Sequence, residues 1–198
     1  MIKLADCFFT SQISEMKNWS LIFFILLSYA GLAQTDSVIV QNDSVAIPIP
    51  MKNGIVFYEK SYTLPPHLNK EELYNKAYEW YTRTFRHTEE NIQVADKKAG
   101  KLVGTATFKV ITSQAGNYYW LRPVIAITIE DGGYSFQAYN YYEKPVEKGI
   151  TNDYSKIEYR WWDYRQGKPW SKEDKRLFEG LNRTTLHLMA ALENEMNK

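Results

Sequence analysis

Cysteine is nearly absent from the sequence, histidine is scarce, and neither sign of charge prevails. The 198 residues include one Cys, Cys7, and three His, at 67, 87 and 187. A single thiol excludes an internal disulfide framework and any Cys-rich metal site. The His residues show none of the HxH or HExxH spacings that bring two ligands to one ion, so no metal and no cofactor is expected. With 24 Lys and Arg against 23 Asp and Glu, the formal net charge is +1. Such a balance exerts no long-range pull on nucleic acid or an anionic membrane. The Gly-x-Ser-x-Gly elbow of serine hydrolases and the Gly-rich phosphate loop are also missing. What the chain has in excess is aromatic side chains, 15% of all residues, with fifteen Tyr and six Trp.

Its one uncharged apolar run of any length lies near the N-terminus. Trp19 to Leu27 (WSLIFFILL) follows Lys17 and continues, slightly diluted, to Gly31-Leu32-Ala33. A basic start, a short apolar stretch and small residues before a cut after Ala33 make residues 1–33 a secretory signal peptide. A membrane anchor needs about 20 apolar residues, more than this run supplies. Met16, directly before Lys17, is an alternative start of the same signal, and translation from it leaves Cys7 out of the product. The expectation is an exported protein, periplasmic or extracellular, soluble after cleavage and without stable membrane insertion. Removal of residues 1–33 takes Lys3, Lys17, Asp6 and Glu15, so the charge balance is unchanged. Most of the aromatic residues stay with the folded part.

Residues 34–53 are polar and then run Ala46-Ile47-Pro48-Ile49-Pro50; alternating prolines favour an extended leader into a single domain spanning 54–198. Ile55 to Tyr62, rich in β-branched and aromatic residues and closed by Pro65-Pro66, predicts a first strand. Asn69 is then placed as a helix N-cap, with Glu72 three residues on and Leu68 and Leu73 set as a hydrophobic staple. Leu73, Ala77, Trp80 and Thr84 form one stripe of that helix, and Tyr74, Tyr78, Tyr81 and Phe85 the next. Strands are predicted at 92–95, 102–111, 120–130 and 134–142, with Asp131-Gly132-Gly133 as a tight turn between the last two. Ile125, Ile127 and Ile129 share one face. Ile157 to Arg165 is either a further strand or an aromatic loop. A last helix opens at Ser171, with Asp174 three residues later as a variant capping box. Leu177, Leu181, Thr185, Leu188, Leu192 and Met196 make its buried stripe, widened by Phe178 and Met189. Gly180 within it predicts close packing against the sheet.

This order gives an α+β fold: an antiparallel curved sheet of about five to six strands with two helices on one face. Gly54-Ile55-Val56-Phe57-Tyr58-Glu59-Lys60, then Leu73 to Trp80, then Ile92 to Asp96 leading to Gly100-Lys101-Leu102-Val103-Gly104-Thr105-Ala106, resembles a known family over roughly residues 54–142. It is the domain of unknown function numbered 4468, with a TBP-like fold, common in exported proteins of Bacteroidetes. The resemblance implies that fold and address. The family has no assigned activity, so it transfers no site residue, and kinship of fold with TATA-binding protein does not transfer DNA binding.

The unusual chemistry is an aromatic concentration in the sheet half: Tyr118-Tyr119-Trp120, Tyr139 to Tyr142, and Trp161-Trp162-Asp163-Tyr164. Neighbours on a strand point to opposite faces, so Tyr118 or Tyr119, and Tyr141 or Tyr142, fall on the face that helices leave open. The candidate binding residues are Tyr119, Tyr141, Trp161 and Trp162, with Arg160 beside them, meeting a protein, peptide or glycan and no nucleic acid. The leading reading is therefore an exported, non-catalytic binding or accessory domain that uses this face or the helix–sheet cleft. The alternative is a small-molecule hydrolase or transferase with its site in that cleft.

Overall fold

The computed structural model describes residues 36–42, 45–64, 69–85, 91–147, 152–161 and 169–198, all within the unit Thr35–Lys198. The expected targeting segment with Met16 and the cut after Ala33, the staple residue Leu68, His67, His87 and residues 162–165 lie outside the described residues. Strands β1 (Asp36–Asn42), β2 (Val45–Lys52) and β3 (Ile55–Thr63) precede helix α1 (Lys70–Thr84). Strands β4 (Ile92–Asp96), β5 (Lys101–Thr105), β6 (Phe108–Ile111), β7 (Tyr118–Glu130), β8 (Gly133–Val146) and β9 (Ser155–Lys156) follow. A 3-10 turn (Ile157–Tyr159) and helix α2 (Lys172–Met196) complete the order. The strands form one antiparallel sheet in the order β1-β2-β3-β8-β7-β5-β4, with β6 also on β7 and β9 on β8.

The α+β class with helices on one face is borne out, and the strand count is higher than expected. Two of the extra strands come from 34–53, the segment expected as a leader: β1 pairs β2 throughout, and Ile49 and Met51 are buried in the core. The link to β3 is a two-residue turn with Asn53 at φ 54° and Gly54 at φ 76°. Two successive positive-φ residues favour Asn-Gly, and such a turn matches the twist of a hairpin. Pro48 and Pro50 have no N–H to donate, and β2 meets β3 only at Met51 and Lys52. The stretch expected as one strand over 102–111 is two, and 157–161 is a 3-10 turn running into two helical residues, neither strand nor loop.

The other departure centres on Pro123. Strands β5 and β6 share one edge of β7, pairing with 124–128 and 118–121, and the break between them falls opposite Pro123. On the other edge the register shifts between Arg122 and Val124: Arg122 faces Tyr142, and Val124 faces Tyr139. Two residues of β8, Asn140 and Tyr141, thus oppose Pro123 alone. That is a β-bulge, where proline is tolerated within a sheet. Asn140 takes the extra position at φ 51°. Before the bulge the even residues Tyr134, Phe136 and Ala138 point to the core; after it the odd residues Tyr141 and Glu143 do.

Both helices cover this inner face. Asn69 caps α1, its side chain accepting from the Glu72 N–H at 2.8 Å. Ser171 and Asp174 close the capping box on α2. The predicted stripes are the buried ones, apart from exposed Thr84 and Tyr78 and half-buried Leu188. Ile125, Ile127 and Ile129 are at most 1% exposed against them, each worth about 1.5–3 kcal/mol. A Cβ on Gly180 would overlap Val110 of β6, so glycine lets the helix backbone approach the sheet.

Candidate functional site

Three of the residues singled out from sequence lie on the helix side. Tyr119 is 5% exposed, Tyr141 0% and Trp161 3%. As members of an open aromatic surface these three are corrected; Trp162 lies outside the described residues. The Tyr141 hydroxyl meets Thr185 Oγ1 of α2 at 2.8 Å. The neighbouring Tyr58 ring donates its hydroxyl hydrogen to Asn182 at 2.9 Å. Burial pushes both phenols well above their ordinary range, so they stay protonated and act as hydrogen-bonding core groups. Trp161 packs edge-on against Trp170 and Phe178.

Arg160 is half-buried and is brought together with Tyr119, its guanidinium 4.8 Å from the ring centroid. It donates to Glu143 at 2.6 Å and to Asp174, whose other oxygen completes the α2 cap. Burial holds the Glu143 carboxyl above its ordinary range, and Arg160 opposes the shift. This node ties β8, the 3-10 turn and α2 together, which is a structural task.

The open face is built by the residues next in sequence. On β7 the even positions Tyr118, Trp120 and Arg122 point away from the helices; on β8 the bulge sends Tyr142 and Lys144 the same way. The register sets these side chains in rows across the sheet. Lys109 of β6, Trp120 of β7 and Lys144 of β8 form one row. Arg122, Tyr142 and Lys156 of β9 form the next. Beyond the first row lie Ile111, Tyr118 and Val146, with Ile111 exposed. Lys109 Nζ sits 3.7 Å from the Tyr118 centroid, and the Tyr118 ring meets Trp120 edge-on at 5.8 Å. The Tyr154 ring lies 4.0 Å from the Arg122 guanidinium and 5.7 Å from Lys144 Nζ.

Rings thus alternate with cations, and the three rows hold no carboxylate. None of the four cations forms an ion pair with a described residue. Strands stand about 4.8 Å apart, so each cation flanks its ring at that spacing. The arrangement offers flat apolar surface and positive charge side by side.

The helix–sheet side offers a different feature, an open depression of about 410 Å³ lined by Lys70, Glu71, Lys97 and Lys98. Its Glu71 is held by Lys97 at 2.7 Å. His187 is exposed on α2. Among the described residues no group of three His, Cys, Asp or Glu is placed to hold a metal ion, and no helix is long and apolar enough to cross a membrane.

Residues 64–144 match the model of a family described as a domain of unknown function (DUF4468) with TBP-like fold, which bears out the resemblance carried by the strand and helix motifs. A TBP-like protein from Parabacteroides distasonis, known as a crystal structure, is 17% identical, with a TM-score of 0.62 over 75% of this chain and 96% of that one. A DUF4468 family protein from Bacteroides ovatus is 12% identical, with a TM-score of 0.62 over 76% of this chain and 91% of its own. At such identities the likeness is one of fold. No curated protein matches the chain.

Proposed function

We propose that the chain, whose residues 64–144 match the DUF4468 model with its TBP-like fold, is an exported, non-catalytic binding module that meets its partner with the open sheet face. The observation carrying this reading is the pair of rows Lys109–Trp120–Lys144 and Arg122–Tyr142–Lys156. Core packing does not account for rings alternating, on the face away from both helices, with cations that form no ion pair among the described residues. The export half rests on the apolar segment Trp19–Leu27 with its basic start and small residues before Gln34. Mass spectrometry of protein from the native cell envelope is expected to find Gln34 as the first residue, and an intact N-terminus in the cytoplasm contradicts it.

The binding half is tested by a thermal-shift screen of soluble glycans and peptides on the wild type and on Trp120→Ala. Compounds are expected to raise the melting temperature of the wild type and to leave the variant unmoved. Equal shifts in both proteins place binding elsewhere and sink the reading. Turnover of a bound compound favours the alternative, a small-molecule hydrolase or transferase.

A further inference from the structure

Resting on that reading of the open face, we infer that its ligand is an acidic polysaccharide, one whose sugar units carry carboxylate or sulfate. In each row the flat and charged elements are direct neighbours. Lys109 and Lys144 stand one strand to either side of Trp120, and Arg122 and Lys156 one strand to either side of Tyr142. A ligand that uses both must present an apolar face and an anionic group within about 5 Å of one another, repeated along its length at the row spacing of about 7 Å. A pyranose bearing an acid does this: its C–H face lies on the ring, and its carboxylate or sulfate reaches the flanking cation.

Neutral sugars use the rings and leave four cations without an anion. A polyanion without flat faces uses the cations and leaves Trp120 and Tyr142 idle. The whole chain carries a formal charge of only +1, so four cations without a carboxylate in two adjacent rows are a local concentration and not a reflection of composition. Single-stranded nucleic acid also combines stacking with charge, but the export read from the apolar leader at residues 1–33 would take the domain away from the cell's nucleic acid.

The test is affinity electrophoresis of the full chain in gels containing polygalacturonate, heparin, neutral xylan, poly-glutamate or an oligo(dT) strand. Polygalacturonate or heparin is expected to retard the wild type, and xylan, poly-glutamate and oligo(dT) are not. The retardation is expected to weaken as salt rises from about 50 to about 200 mM. Trp120→Ala is expected to lower the affinity about tenfold, the effect of losing one stacking ring. The double variant Lys109→Gln, Lys144→Gln keeps every ring, so it answers the question even if Trp120→Ala folds poorly, and it is expected to cut the salt dependence to about half. Retardation by poly-glutamate or oligo(dT) as strong as by the acidic glycans overturns the inference, and so does no retardation by any polymer. Xylan binding that depends on Trp120 overturns the acid requirement while the binding-face reading stands. Acidic glycan binding indifferent to both variants overturns the two together.

Discussion

Adjacent residues of a single strand separate the two faces of this sheet. Tyr141 is fully buried, with its hydroxyl on Thr185, whereas Tyr142 stands half-buried among cations on the far side. The inner face is a continuous core in which the Tyr58 and Tyr141 hydroxyls meet Asn182 and Thr185 of α2. On the outer face Lys109, Arg122 and Lys144 lie against rings, and among the described residues no carboxylate pairs with them. The aromatic richness of the chain is therefore divided between a buried core on one side and half-buried rings beside cations on the other.

The comparison breaks first, if it breaks, on the inner face. Trp80→Ala and Trp161→Ala are each expected to cost about 3–5 kcal/mol in urea denaturation, the range for deleting a large buried aromatic. A loss near zero for Trp161 would return it to the open surface expected from sequence. Gly180→Ala gains about 1 kcal/mol of helix propensity but drives a methyl into Val110, and overpacking costs about 1–3 kcal/mol. A net destabilisation of about 1 kcal/mol is expected, and a stabilised variant would mean that the helix sits further from the sheet.

A smaller effect sharpens the picture of the Arg160 node. A carboxyl whose folded pKa lies above its unfolded value stabilises the fold most at low pH and loses that contribution as pH rises through the folded pKa. Glu143 is such a group, raised by burial. Compared with Glu143→Gln, the wild type is expected to lose stability as pH rises from about 4 to about 7, measured by urea melts at both ends. Glu71, held low by its bond to Lys97, and Glu195, held low by Lys198 and Arg83, act in the opposite direction. Both proteins share them, so they drop out of the difference. A constant gap across that range would show Glu143 to be unperturbed.

The smallest effects belong to the open face. Trp120→Ala is expected to change stability by no more than about 1 kcal/mol, the scale of a cross-strand pair, while altering ligand binding.

How far the sequence carried these distinctions depended on whether a local rule was interrupted. Both caps, the α1 and α2 stripes and the inward face of Ile125, Ile127 and Ile129 follow from periodicity and were legible. The place of Tyr119 was legible too. Counting back by twos from Ile125 puts Leu121 and Tyr119 inside and Trp120 and Tyr118 outside, because Pro123 breaks pairing without adding a residue to β7. The same counting fails on β8. From Phe136 and Ala138 it predicts Tyr142 inside, but the extra residue at Asn140 reverses every side chain beyond it. An Asn opposite a partner's proline is a cue only once the register is known. At the other end, Asn53-Gly54 was the hairpin signature that joins β2 to β3, and the alternating prolines beside it masked a strand as a leader. Arg160 was placed near Tyr119 in chemistry and in space, while its two carboxylates come from β8 and from α2, a meeting that only the fold provides.

The division of the sheet into a buried and an open face is tested most directly by the unfolding free energies of Tyr141→Ala and Tyr142→Ala, measured side by side in urea. Tyr141→Ala is expected to lose about 3–5 kcal/mol and Tyr142→Ala no more than about 1 kcal/mol. Equal losses, or the larger loss at Tyr142, would place the bulge at Asn140 wrongly and remove the open face with it.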